Sequence, residues 1–239
     1  MNRFFFAQFF LLFSMVFTSC IYAGGEGVVK QTRTVVPFSQ LKVSTGITVI
    51  LSSGMQQEVI VEADDDVIDN VITEVEDGEL ALYIQSSGRR LFSSKRYEGV
   101  KVYVTFTNLT KLGVSIGARV ETAQALDISM LEVKCSSGAS ANLELYCNHL
   151  ELDASSGADI NVSGRGDFVY AEASSGASVN ADGFKVIKAE GRASSGGSVD
   201  LFADGEIKAR ASSGGSVNIR GNGQIKEMNQ SSGGSVRKR

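Results

Sequence analysis

The tripeptide Ser-Ser-Gly recurs six times in the second half of the chain. It begins at 136, 155, 174, 194, 212 and 231, at intervals of 19, 19, 20, 18 and 19 residues. The residues that follow repeat as well: ASANL, ADINV, ASVNA, GSVDL, GSVNI and GSVRK. An eroded copy, Ser115-Ile116-Gly117-Ala118-Arg119-Val120, precedes them. A fixed period of this size is the mark of a stacked repeat architecture, in which each unit buries its apolar face only against its neighbours.

Within each copy the period is two. Ala141, Ile160, Val179, Val199 and Val217 alternate with Ser140, Asp159, Ser178, Ser198 and Ser216, and the next apolar set is Leu143, Val162, Ala181, Leu201 and Ile219. That is strand alternation rather than a helical stripe. A second alternating run follows in each copy, for example Leu150-Glu151-Leu152-Asp153-Ala154. Nineteen residues thus hold two or three short strands joined at glycine corners, and equivalent strands can pair only by stacking in parallel, about 4.8 Å apart. The expected fold is all-β: a right-handed parallel β-helix, the usual hand for parallel crossovers.

Composition agrees. The 239 residues include 26 Gly, one Pro and no Trp. Glycine turns a corner through positive φ without a Cβ clash. Proline would remove a ladder donor wherever it entered a stacked strand, and Pro37 lies ahead of the repeats. Small residues near the corners imply a narrow interior with no room for aromatic rings. Glycine has no three-residue period, which excludes collagen.

Residues 1–23 read as a secretory signal, with Arg3 as the only charge and an apolar run from Phe4 to Phe17. The run is too short to span a bilayer. Two processing sites compete. Phe17-Thr18-Ser19-Cys20 resembles a degenerate lipobox that would acylate Cys20, whereas Ile21-Tyr22-Ala23 fits ordinary signal peptidase. Either way the protein is expected to be exported, to the periplasm, outer membrane or cell surface, and to meet a membrane only through a lipid on Cys20. Cleavage after residue 23 removes Arg3 and no acid, taking the net charge from −4 to −5. Nucleic acid is not an expected partner of so acidic a chain. Cys135 and Cys147 are left as an even pair, able to form a disulfide only if their Cα atoms lie within about 7 Å; two isolated buried thiols are the alternative.

Residues 28–110 carry strand-like runs of another character, and are expected to cap or begin the solenoid that 111–239 continues, the whole of 28–239 forming one domain. SSGMQQ, starting at Ser52, reads as a hairpin-like turn, and the acidic start of DDDVIDN as a cap for one helical turn.

The order Thr45-Gly46-Ile47-Thr48-Val49, EVIVEAD, ITEVEDGELALYI, KVYVTFTNLTKL and the train of SSG repeats resembles the bacterial "putative auto-transporter adhesin, head GIN domain" family, over roughly Val36 to Arg239. Gly46-Ile47-Thr48 stands where the namesake has Gly-Ile-Asn, and Ala139, Ala158 and Ala177 stand where the family often has a second Gly. The resemblance implies a β-helix of the bacterial envelope with no established enzymatic activity.

The expected role is non-catalytic: an adhesive face that binds a glycan or a host matrix surface. Its candidate residues are Ser140, Asp159, Ser178, Ser198 and Ser216 beside Asn142, Asn161, Asn180, Asp200 and Asn218. Hydroxyls, amides and carboxylates at strand spacing can match repeating sugar hydroxyls, although such ladders also hold coils in register without a ligand. Outward Tyr170, near Lys188, Lys208 and Arg210, forms a second candidate patch. No catalytic, cofactor or metal site is expected. His149 is the only imidazole, too few for most zinc and triad chemistries. The rival classes are a polysaccharide-active enzyme on a β-helix and an envelope assembly module, the latter forming homo-oligomers through the C-terminal coil at Val236 to Arg239.

Overall fold

A computed structural model of the chain describes residues 27–85 and 99–239, together with the backbone of Cys20 and Ile21. The expected signal segment and the lipid on Cys20 otherwise lie outside the described residues. Among the described residues, nineteen strands form one continuous sheet wound into a β-solenoid of about seven turns, each of about 19 residues.

The first strands are β1 (Cys20–Ile21), β2 (Val28–Arg33), β3 (Gln40–Val43), β4 (Thr48–Ser53), β5 (Glu58–Asp64), β6 (Val71–Glu76), β7 (Glu79–Ile84) and β8 (Lys101–Phe106). Then come β9 (Lys111–Val114), β10 (Arg119–Thr122), β11 (Leu126–Cys135), β12 (Ser140–Ala154), β13 (Asp159–Arg165) and β14 (Phe168–Ala173). The last are β15 (Ser178–Ala193), β16 (Ser198–Ala211), β17 (Ser216–Arg220), β18 (Gln224–Gln230) and β19 (Ser235–Lys238).

The strands stack in two parallel columns. The first follows each Ser-Ser-Gly corner and runs β4, β10, the start of β12, β13, the starts of β15 and β16, β17 and β19. The second precedes each corner and runs β3, β9, then the ends of β11 and β12, β14, the ends of β15 and β16, and β18. Between the columns lies the core: Ala141, Leu143 and Leu145 of one face meet Leu150, Leu152 and Ala154 of the other in a single rung, all fully or nearly buried. Among the described residues no polar or charged side chain is buried.

Each corner is a two-residue turn with positive φ at both central positions. Ser156 (φ 53°) and Gly157 (φ 70°) are typical, and the Ala158 N–H closes the turn on the Ser155 carbonyl at 3.2 Å. This is the signature of a type I′ turn. The turns also bond to one another along the stack, as where the Gly138 N–H donates to the Ser156 carbonyl at 3.2 Å. The column starts earlier than the Ser-Ser-Gly motif does. Thr45 (φ 60°) and Gly46 (φ 74°) form its first corner, and the Gly46 N–H reaches the Ile116 carbonyl of the next. At Ala139, Ala158 and Ala177 the closing bond is 3.1–3.2 Å, but at Gly197, Gly215 and Gly234 it is 2.8 Å. A Cβ on Gly197 would lie 2.4 Å from the Ala173 carbonyl oxygen, so the tighter turns require glycine where the looser ones hold alanine.

Several expectations need correction. Ser52 to Gln57 is no hairpin turn: β8 lies between β4 and β5, parallel to the first and antiparallel to the second. The short helical turn exists as a 3-10 turn at Ile68–Asn70, but its N-cap is Val67 and no side chain caps it. The interior does admit aromatic rings. Phe184 is fully buried and Phe106 nearly so, Phe184 at the corner opposite Ser-Ser-Gly, where Gly166 leaves it room: a Cβ there would lie 2.9 Å from the ring. Of the two arrangements open to Cys135 and Cys147, the structure has the separate buried thiols. Cys147 pairs in register with Ile128, seven residues upstream of Cys135 on β11, so the two cysteines occupy distant parts of the coil. Burial pushes the Cys135 thiol up to about 12.

At the N-terminal end, β7 extends the second column and β6 closes it antiparallel; β8 extends the first, followed by antiparallel β5, β2 and β1. The parallel ladder thereby passes into a cap whose strands run the other way. The C-terminal strand β19 pairs with β17.

Candidate functional site

The outward positions of the first column form two straight rows. Register places Ser140, Asp159, Ser178, Ser198 and Ser216 in one, and Asn142, Asn161, Asn180, Asp200 and Asn218 in the other, one residue per rung. All ten predicted residues therefore share one face, because strand alternation sends them outward and the constant coil length keeps them in step. Asn142, Asn161 and Asn180 are exposed, whereas Asp200 and Asn218 are half-buried.

The rows are partly bonded along the stack. Asn161 Nδ2 donates to Asn142 Oδ1 at 3.1 Å and Asn218 Nδ2 to Asp200 Oδ1 at 2.9 Å. Asn180 Oδ1 instead accepts from the Asp182 N–H at 3.2 Å. These bonds leave Asn142 Nδ2, Asn161 Oδ1 and Asn180 Nδ2 without a protein partner, a donor, an acceptor and a donor on successive rungs. They line an open depression of about 390 Å³ whose edge is formed by Thr122, Glu144 and Ser163. Amide groups with spare capacity on an exposed strand face can hydrogen-bond a polyol without any rearrangement of the backbone.

The second column presents a charged face. One row runs Lys111, Glu132, Glu151, Tyr170, Glu190, Lys208, Glu227. Tyr170 hydrogen-bonds Glu172, and its cation neighbour is Arg192, whose guanidinium lies over the ring at 5.2 Å. The expected grouping with Lys188 is not seen, since Lys188 stacks on Phe168 in another row, and Lys208 and Arg210 lie two rungs away. Arg192 could have been found by carrying the two-residue alternation one position beyond Glu190. Burial first, and then the Glu172 bond, push the Tyr170 phenol up to about 12. Asp153, beside Glu172, is held above the usual carboxylate range by burial and then by that neighbour. His149 is not isolated: its ring stacks on Phe168 at 4.8 Å and Nε2 lies 3.1 Å from Glu151 Oε1.

Fold and surface together define a class: a parallel β-solenoid with an apolar interior, displaying ladders of repeated polar side chains. The chain belongs to the family described as "Putative auto-transporter adhesin, head GIN domain", whose model matches residues 37–223. Several solved structures share the fold. A putative adhesin from Bacteroides fragilis NCTC 9343 is 14% identical with a TM-score of 0.79, and one from Parabacteroides distasonis ATCC 8503 is 16% identical with a TM-score of 0.72. A protein from the same P. distasonis strain, described as a putative lipid binding protein, is 15% identical with a TM-score of 0.62. Each alignment covers 90% of this chain and 98% of the other. At such identities the likeness is one of fold. No curated protein matches the sequence.

Proposed function

We propose that this protein is a non-catalytic, exported adhesive module of the bacterial envelope, and that it holds a saccharide chain along the Asn142–Asn161–Asn180 ladder. The observation that carries the reading is the set of unspent amide groups on three successive rungs, over an open depression. Rungs about 4.8 Å apart are comparable in length with one pyranose unit, so a sugar chain lying along the solenoid axis can repeat its contacts from rung to rung. A ligand held this way needs no induced fit, and pre-organisation of the ladder by its own hydrogen bonds lowers the cost of binding.

The rival reading, polysaccharide turnover, would use the carboxyl pair Asp153 and Glu172 with Tyr170. A phenol at about 12 is almost wholly protonated at neutral pH, and a poor general base there. The test is direct. Neutral oligosaccharides on an array should capture the mature protein, and Asn161→Ala with Asn180→Ala should weaken capture at least tenfold with the far-UV spectrum unchanged. Undiminished capture by the double variant sinks the site, and release of shortened sugars by the purified protein sinks the non-catalytic reading.

A further inference from the structure

The second column changes sign along its length. Its row nearest the Ser-Ser-Gly corners runs Lys134, Asp153, Glu172, then Arg192, Arg210 and Asn229. Over the same rungs the adjoining row runs Glu190, Lys208, Glu227 in alternating sign, whereas Arg192 and Arg210 stand directly opposite each other, as Asp153 and Glu172 do on the two rungs before. Like charges in that relation destabilise a sheet. Beside them is a depression of about 430 Å³, lined by both arginines, by Ser194, Ser212 and Ser231, by Asn229 and Gln230, and by one carboxylate, Glu172.

The depression is rich in donors. Arg192 gives Nε and Nη2 to one oxygen of Glu190, at 3.1 and 2.6 Å, and Arg210 gives the same pair to Glu227, at 3.1 and 2.7 Å. Each guanidinium so engages two of its five N–H groups and keeps the rest for a ligand. The Arg210–Glu227 pair faces solvent, its side chains 46% and 36% exposed, whereas Glu190 is 18% exposed and holds Arg192, itself 40% exposed, in a part-buried pair, so both forks are fixed with their outer N–H groups open to solvent. On the corner ridge beside them, the N–H groups of Ser195 and Ser213 make no hydrogen bond to the protein.

We propose that this depression binds the acid groups, carboxylate or sulfate, of an anionic polysaccharide. Two arginine forks one rung apart match acid groups on neighbouring sugars, and the serine row supplies partners for sugar hydroxyls. The site lies on the column away from the asparagine ladder and does not depend on the function assigned to that face.

Calorimetric titration of the mature protein with a heparin-derived hexasaccharide, hexagalacturonate and neutral maltohexaose tests the proposal. At least one acidic oligomer binds ten times more tightly than maltohexaose, and the stronger arm tells sulfate from carboxylate. Arg192→Gln with Arg210→Gln weakens that binding at least tenfold; so does Ser212→Glu, which keeps both arginines and adds a second carboxylate beside that of Glu172. Acidic oligomers that bind no better than maltohexaose overturn the proposal, as does full binding by Ser212→Glu.

Discussion

Single residues carry the corner geometry, and their chemistry makes sharp contrasts. Ser156 sits at φ 53°, a region that costs an L-residue about 1–2 kcal/mol. A β-branched side chain suffers most there, so Ser156→Val is expected to lose at least about 1 kcal/mol while Ser156→Gly is tolerated, as urea unfolding would show. Gly215 is different in kind: an added Cβ would lie 2.5 Å from the Ala193 carbonyl carbon and oxygen. Gly215→Ala should therefore cost several times more than Ala158→Gly, whose penalty is the roughly 0.5–1 kcal/mol of added chain freedom. Tyr170 gives a spectroscopic handle. Its folded pKa, about 12, lies above the unfolded value of about 10, so the fold favours the protonated phenol. The stability this contributes is complete below pH 10 and is lost as pH rises from there through 12. Phenolate absorbance should show a component with a midpoint near 12 that vanishes in Tyr170→Phe.

At the scale of the element, each rung is a pair of short strands that is stable only because the next rung covers it. Leu152 is fully buried between the two columns, and Leu152→Ala is expected to cost about 2–5 kcal/mol, read as an earlier urea midpoint. The rungs from Ser140 onward were legible in the sequence because the corner motif, the alternation and the 19-residue spacing all point to one register. The first rung was harder to see. Its corner, Ser44-Thr45-Gly46, has lost the second serine, and about 70 residues of added strands separate it from Ile116-Gly117, so periodicity no longer links the two. The placement of β8 between β4 and β5 left no local signal at all, since strand pairing across a long connection is decided by the sheet rather than by the turn. Likewise the room for Phe184 is made by Gly166, a residue from the neighbouring rung, which a reading along the chain does not bring beside it.

For the whole molecule, a nearly constant coil turns a sequence repeat into a surface repeat. Both rows of the proposed face were legible because outward positions of equal phase must align when coils have equal length. The pairing of Arg192 with Tyr170 was not, because it depends on how one side chain leans across two rows. A ladder also predicts a behaviour that a single pocket cannot show: affinity should grow with ligand length as each added sugar reaches another rung. The most direct measurement is a series of dissociation constants for neutral oligosaccharides of two to six units, taken from the class that the array identifies. The account predicts that Kd falls stepwise over the lengths that cover Asn142, Asn161 and Asn180, and then levels off. Equal affinity for the disaccharide and the hexasaccharide, or no binding at any length, would contradict it.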